Sequence, residues 1–547
     1  MLERSTARSG QPTARIEGIH LHSPYDPEKE ARRFVRQSIK QPDPSMILLL
    51  GAGLGYLYRE LTRSFPNAAV VAVFYHEAVW RSFTPALPPG TYWHPGENAT
   101  VLQFLRSRIH ELEAEGLAVL EWPASAGVFP EESLRVNRAL HQLFREIRGT
   151  LVTTAALGRR WLKNSLVNFL GIDQIFPPVG SKPGRVTTVI AASGPSLQEG
   201  SDFLAAHRES IELWALPSSL DFLLSRDLEP DTVVMTDPSY YAFSHLRCAK
   251  DNDLHLTMPL SAAGGSWRIS ARVSLVNQET PVERVLLKRA GLTAPAVPAQ
   301  GTVAATALLL ALGRQKGPVI FTGLDFCYRD IFSHARPNNF ESWLATGSNR
   351  LGSLHHRLFA LAAEQAPAGE GRKRGSMALD TYAGWFAEFG KGAGAAADAR
   401  SKRIYRLHPS DIELPGIDSI SETELARLIH SAESRSSGAY REDPPPPLKS
   451  YPPRESRARI VSGVLTGWIE RTEQLITAIG RTASLEPLLR DPQSLSRVYL
   501  CNAAELTEIR RIHRLRGRQA AVGRTTDLLE KHRGFLQGLH RGFSGSK

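Results

Sequence analysis

The sequence predicts an α/β protein: a Rossmann-like, mainly parallel sheet in the centre, a smaller α/β domain before it and an all-helical region after it. Three observations carry this. From 186 to about 330, short apolar runs without strict alternation exchange with helix-like stretches, the pattern of a parallel sheet covered on both faces. Near the start, "SMILLLGAGLGYLYRELTRSF" (45–65) followed by "AAVVAVFYHE" (68–77) spells strand, glycine turn, helix, strand, the opening of a βαβ unit. Past the Pro- and Ser-rich stretch 433–456, a linker by composition, only helical patterns remain. The expected domains are therefore 1–150 (N-terminal α/β), 151–432 (central), the linker 433–456 and a basic helical region 457–547.

In order along the chain, residues 1–45 read as poorly packed and then helical ("DPEKEARRFVRQSI"), and 99–170 read as helices ending in "LGRRWLKNSLVNFLGI". In the centre, "VTTVIAAS" (186–193), "IELWALPSS" (211–219), "DTVVMTDPS" (231–239) and "PVIFTGLDF" (318–326) are strands with their following loops. "DFLLSRDLEP" is a short helix, and "AQGTVAATALLLALGRQKG" (299–317) is a helix entered through a Gly-Thr turn. "APAGEGRKRG" (366–375) and "GKGAGAAADARSKR" (390–403) have the composition of mobile loops.

The bulk properties exclude several classes. No apolar segment opens the chain, and the longest near-apolar run, "VAATALLLALG" at 303–313, is too short to span a bilayer. Cys248, Cys327 and Cys501 lie far apart, which offers neither a disulfide framework nor a CxxC metal site. A soluble, cytoplasmic protein is expected. The net charge is +11, and residues 451–547 hold 17 Lys and Arg against 9 Asp and Glu. No zinc finger, helix-turn-helix or aromatic-basic RNA motif accompanies that charge, so the expectation is a solvated or acidic-protein-docking face and no nucleic acid.

Ligands of open α/β sheets sit at the carboxyl ends of the strands. Those ends carry Ser193-Gly194-Pro195-Ser196, Pro217–Ser219 with Ser218 at its centre, Thr236–Pro238 and Gly323–Asp325, with Gly301-Thr302 opening a helix. Ser193–Ser196 has two readings. One is an ordinary strand–turn–helix corner. The other is a phosphate loop, in which backbone N–H groups and a helix N-terminus face an anion and Gly194 lets the ligand approach. The N-terminal Gly51-x-Gly53-x-Gly55 also stands between two readings, a live nucleotide loop and a glycine-rich crossover. The third dehydrogenase glycine is replaced by Tyr56, and the acidic residue, Glu77, comes late.

"RRWLKNSLVNFL", "AASGPSL", "LEPDTVVMTDP", "GTVAATALLLAL" and "IFTGLDFCYRDIFSHA" together resemble the flagellin-glycosylating motility accessory factor (Maf) family, over roughly 155–340. Its central domain is shared with archaeal 6-hydroxymethylpterin diphosphokinase-like (MptE-like) proteins. "LLLGAGLGYLYREL" and "MALDTYAGWFAEF" are similar to further Maf segments, whereas "YRLHPSDIELPGID" (405–418) departs from the family's Asn-Thr-Gly-rich strand and turn. The resemblance implies a sialyltransferase-like fold. It also implies inverting transfer of a sialic-acid-like nonulosonic sugar from its CMP-activated donor to Ser or Thr of flagellin or another protein acceptor.

Such a transfer needs a stabilised leaving phosphate, a carboxylate near the oxocarbenium ion and a base for the acceptor hydroxyl. The resemblance points to His334 as the base and to Asp237 as the second catalytic residue. Donor-binding residues would be Ser193, Gly194, Pro195, Ser196, Ser218, Asp237, Gly301, Thr302, Gly323 and Asp325. Each has a plain structural alternative: Asp237-Pro238 as a turn starter, Asp325 as a cap, His334 as a surface loop histidine. His245, His255, His355 and His356 are set aside as structural or surface residues. The MptE-like alternative is diphosphate transfer from ATP, with Asp237 and Asp325 as Mg²⁺ ligands. A further alternative is a non-catalytic nucleotide-fold protein that docks a partner through its basic helices.

Overall fold

In the computed structural model, the described residues are 2–40, 44–82, 87–109, 116–177, 187–249, 254–269, 272–314, 317–367, 373–395, 404–409, 412–436, 451–483, 485, 488 and 503–544. The architecture is mixed α/β with a large parallel sheet, a smaller N-terminal α/β region and a helical C-terminal region. The chain divides into two compact units, 1–158 with 471–534, and 159–470 with 535–547.

The first unit opens with a three-stranded antiparallel meander, β1 (Leu2–Thr6), β2 (Pro12–Ile16) and β3 (Ile19–His20), followed by α1 (Pro27–Ser38). The sequence predicts loose packing here. The meander holds because Thr13 and Ala14 are buried and the Tyr56 hydroxyl donates to the Pro12 carbonyl at 2.6 Å. A βαβ core follows: β4 (Met46–Leu50), α2 (Tyr56–Ser64), β5 (Ala69–Val73), α3 (Glu77–Arg81), β6 (Tyr92–Trp93), α4 (Val101–Arg108), β7 (Leu117–Glu121) and α5 (Pro123–Val128). The sheet is parallel, in the order β6-β5-β4-β7. Strand β7 lies inside the region expected to be wholly helical, because "LAVLE" is too short an apolar run to separate from a helix by period. Helix α6 (Pro130–Gly171) then runs across the division between the units.

The second unit is built on eight parallel strands. They are β8 (Thr187–Ala191), β9 (Ile211–Ala215), β10 (Thr232–Val234), β11 (His255–Pro259), β12 (Arg272–Val276), β13 (Val319–Thr322), β17 (Ile404–Leu407) and β18 (Asp418–Ile420). Their order is β12-β11-β10-β9-β8-β13-β17-β18. Between them lie α7 (Ser201–Ala206), α8 (Leu220–Leu224), α9 (Tyr240–His245), α10 (Pro281–Ala290), α11 (Val303–Arg314), α12 (Asn339–Thr346), α13 (Leu354–Ala363) and α14 (Met377–Ala395). One face of the sheet packs Ile190, Trp214, Val234 and Phe321 against Ala304, Leu308 and Ala311 of α11 and Phe386 of α14.

Two stretches expected to be loops carry regular structure in their described residues. Ala366–Pro367 (β15) and Lys373–Gly375 (β16) pair in a small antiparallel sheet with Tyr328–Arg329 (β14), while 368–372 and 396–403 lie outside the described residues. Most of the expected linker, 437–450, also lies outside them. Helix α15 (Glu422–Ser436) precedes it, and α16 (Arg454–Thr482), α17 (Ala503–Arg516) and α18 (Arg518–Ser544) follow. Among the described residues, no helix is long and apolar enough to cross a membrane.

Candidate functional site

Strand order reverses between β8 and β13, since β9 to β12 run out on one side of β8 and β13, β17 and β18 on the other. A crevice at such a reversal is where open α/β sheets take ligands. The loops at this reversal are the one after β8, with Ser193–Ser196, and the one after β13, with Gly323–Asp325.

Asp325 locks these loops together. Its carboxylate is buried and accepts the Ser196 N–H at 2.7 Å and the Ser196 hydroxyl at 2.5 Å. Burial pushes its carboxyl above the usual range, and the Ser196 donors pull the other way. Arg406 on β17, itself buried, lies within range of the Asp325 charge and donates to the Ile412 carbonyl at 3.0 Å, while Arg329 is the cation that lowers the Asp325 carboxyl. A Cβ on Gly194 would stand 2.5 Å from Asp325 Oδ2. Gly194 donates its N–H to the Gly323 carbonyl at 2.8 Å; Gly323 has φ +71°, and a Cβ there would meet the Ala192 carbonyl at 2.5 Å.

Of the two readings of this turn, the hydrogen bonding fits the strand–turn–helix corner. The Gly194 and Ser196 N–H groups are taken up inside the protein, Pro195 has none, and the turn leads into three 3₁₀ residues and the six-residue α7 rather than a long helix. Asp325 by itself requires glycine at 194. Ser193 is half-buried, and its carbonyl accepts the Ala335 N–H at 2.8 Å, so the loop carrying His334 is tied to the crevice.

Asp237 lies apart from Asp325. It is exposed after β10, and its Oδ1 accepts the Ser239 N–H at 2.6 Å, an Asx turn leading into α9. That helix carries His245, which the sequence reading set aside. The structure brings His245 within electrostatic range of both Asp237 and His334. Burial lowers His245, with Asp237 opposing. Burial, reinforced by His245, lowers His334 to about 4. His334 Nδ1 is 2.7 Å from Ser333 Oγ; in the tautomer whose Nδ1–H donates to that oxygen, Nε2 is free to accept a proton.

The sequence also gave no role to two asparagines on α6. Asn164 Nδ2 donates to the Pro238 carbonyl at 3.0 Å, fixing the Asp237 turn. Asn168 Nδ2 donates to the Leu260 and Ala262 carbonyls, both at 2.9 Å, and its Oδ1 accepts the Gly265 N–H at 3.0 Å. Their spacing puts them on one helix face, which was the available signal. Buried Glu283 of α10 accepts from the Ser261 N–H (3.0 Å), the Ser261 hydroxyl (2.9 Å) and the Gln278 N–H (3.0 Å), joining the loops after β11 and β12. Ser218 is half-buried beside Ser219, whose hydroxyl donates to the Ala191 carbonyl at 2.7 Å. Exposed Gly301 and half-buried Thr302 precede α11, and nothing lies within 4 Å of a Cβ on Gly301.

The donor set does not fit a metal held by Asp237 and Asp325. Both Asp325 oxygens are bonded to Ser196, and among the described residues no three His, Cys, Asp or Glu side chains are grouped to hold an ion. The N-terminal glycine loop is filled from within: His22 Nε2 accepts the Leu54 N–H at 3.1 Å, stacks on Trp122 and would stand 2.5 Å from a Cβ on Gly53.

Residues 160–330 match the family model described as 6-hydroxymethylpterin diphosphokinase MptE-like. The chain is similar to the solved structure of a Maf glycosyltransferase from Magnetospirillum magneticum AMB-1, with TM-score 0.52 and 12% identity over 99% of this chain and 91% of that one. At that identity the likeness is one of fold. An uncharacterized protein of Treponema pallidum (strain Nichols) is 24% identical over 65% of this chain and 76% of its own length. A second from the same strain is 29% identical over 42% of this chain and 40% of its own. The MptE-like match and the Maf structural neighbour bear out the resemblance seen in the sequence.

Proposed function

We propose that this protein is a glycosyltransferase that moves a nonulosonic sugar from its CMP-activated donor to a Ser or Thr hydroxyl of an acceptor protein, with inversion. The observation that carries the proposal is that the His334 loop is tied through the Ala335 N–H to the Ser193 carbonyl, at the carboxyl edge of a sheet whose fold is like that of a glycosyltransferase structure, with His245 within electrostatic range of His334. The acceptor oxygen forms a bond to the anomeric carbon, the bond from that carbon to the phosphate oxygen breaks, and CMP leaves with the electron pair. The acceptor proton passes to His334 Nε2.

His334 is neutral at pH 7 and therefore ready as a base. An anionic donor alongside raises its proton affinity toward the working range. Asp237, exposed at the mouth, supplies negative charge toward the oxocarbenium ion and toward His245. The leaving phosphate is assigned to the first turn of α11 behind Gly301-Thr302. That helix runs back against the parallel strands and so starts at their carboxyl edge. The Ser193–Ser196 turn and Asp325 shape the crevice floor beneath the donor.

The description of the matching family favours a second reading, diphosphate transfer from ATP. Thermal-shift titration with CMP, CDP, ATP and S-adenosylmethionine, each with and without Mg²⁺, separates the two. A ligand at about 100 times its Kd adds roughly 2.7 kcal/mol of stability. Stabilisation by CMP without metal supports sugar transfer. Stabilisation by ATP only with Mg²⁺ overturns it.

A further inference from the structure

Between Glu508 and Asp527 the chain holds Arg510, Arg511, Arg514, Arg516, Arg518 and Arg524, with no acidic residue and no lysine. This stretch is the end of α17, the turn at Gly517 and the start of α18. Gly517, at φ +83°, donates its N–H to the His513 carbonyl at 3.1 Å, which ends α17 and redirects the chain into α18. Leu506 and Ile509 of α17 and Ala521, Leu528 and Leu529 of α18 share one apolar core. At the turn, every residue from 513 to 520 is exposed, so this stretch stands out beyond that core.

Two of the arginines serve the fold. Arg518 donates to the Thr482 carbonyl at 2.9 Å, at the end of α16, and Arg524 pairs with Glu508 at 3.4 Å. Arg511 and Arg516 are exposed, and Leu515, set between Arg514 and Arg516, is 66% exposed. Arg511 and Leu515 are four residues apart and share a face of α17.

Three features select the occupant. Arginine forks bond two phosphate oxygens at once, which an ammonium group cannot do. The projecting run 513–520 is eight residues, against about 20–30 residues a side in a stable protein interface, so an acidic protein would gain too little area there. An exposed leucine among cations gains nothing from a nucleic-acid backbone. A bilayer offers headgroup phosphates to the arginines and, just beneath them, hydrocarbon to the leucine.

We propose that the α17–α18 turn docks on an anionic lipid bilayer, with Arg511 and Arg516 on the headgroup phosphates and Leu515 at the edge of the acyl chains. The attachment is peripheral and salt-sensitive. Each arginine near an anionic surface strengthens it about fivefold. The turn belongs to the first unit, and its role does not depend on sugar transfer.

The full chain is co-sedimented with vesicles of pure phosphatidylcholine and of equimolar phosphatidylcholine and phosphatidylglycerol. It is also titrated against a labelled DNA duplex and against polyglutamate. Binding is expected to the mixed vesicles and not to phosphatidylcholine, and it should fall as salt rises. Arg511→Gln combined with Arg516→Gln should weaken it about 25-fold, at about fivefold for each arginine. Leu515→Ser should weaken it about tenfold through the lost apolar burial. All three side chains are exposed, so both variants should melt like the wild type. Equal binding to the two kinds of vesicle overturns the proposal, as does wild-type vesicle affinity in either folded variant. Tighter binding to the duplex or to polyglutamate than to the mixed vesicles also overturns it, because the turn would then serve a nucleic acid or an acidic protein.

Discussion

Gly194→Ala should destabilise the second unit through Asp325. The added Cβ would sit 2.5 Å from Asp325 Oδ2 and 2.7 Å from both its Cβ and Cγ, so the carboxylate must leave its place. Two bonds go with it, from the Ser196 N–H at 2.7 Å and the Ser196 hydroxyl at 2.5 Å. Hydrogen bonds to a charged group contribute about 1.5–3 kcal/mol each; with partial relaxation the expected loss is about 3 kcal/mol. For a unit made of residues 159–470 and 535–547, that lowers the melting temperature by about 4–5 °C at roughly 2.1 cal/mol/K of unfolding entropy per residue. Calorimetry on Gly194→Ala, Ser196→Ala and the double variant is the assay, with Gly301→Ala as control, since open space surrounds that position. Ser196→Ala alone removes the hydroxyl bond. In the Gly194→Ala background it should add little, because the carboxylate has already moved. Strict additivity, or a Gly194→Ala protein that melts like the wild type, refutes the lock.

Asp325→Asn should hold its stability or gain some at pH 7, because a carboxamide can keep both Ser196 contacts without the buried charge, while Asp325→Ala loses about 2–4 kcal/mol. The raised carboxyl fixes the sign. Its penalty is absent below the unfolded carboxylate pKa and grows as pH rises through the folded value, so the gap between Asp325→Asn and wild type in urea unfolding should open upward in pH. Asn168→Ala leaves the Leu260 and Ala262 carbonyls and the Gly265 N–H without their partner; a loss of about 2–4 kcal/mol and faster amide exchange at Gly265 are expected. His334, lowered to about 4, contributes stability that is whole above its unfolded pKa near 6.5 and is lost as pH falls toward 4. Wild type should therefore weaken relative to His334→Gln over that window, as read by thermal melts. The transfer rate should stay level from pH 8 to about 5 in free-enzyme terms before it falls.

The strands that bear the site were legible because their residues are apolar without interruption, as in "VTTVIA" and "PVIFT". Strands β11 and β12 were not, because buried polar residues break their pattern: His255 Nε2 bonds Ser274 Oγ at 2.7 Å, and Thr232 meets Thr257 at 2.9 Å. Such side chains look exposed until their partners on the next strand are known. The same limit applies at Ser193–Ser196. Local sequence offers free N–H groups there, but Asp325, 129 residues beyond Ser196, fills the turn. His245 looked like one histidine among 17 and acquires meaning only when α9 is brought against the His334 loop. The glycines at 51, 53 and 55 likewise suggest a ligand until His22 is seen in their cradle.

Whether His334 takes the acceptor proton at a CMP-sugar site is decided on one preparation of His334→Ala. CMP affinity and sugar transfer to a Ser-containing acceptor are measured side by side with the wild type. Base catalysis contributes about 10²–10⁴-fold, so transfer should fall by that factor while CMP affinity stays within about twofold. Unchanged transfer, or loss of CMP binding together with the rate, would contradict it.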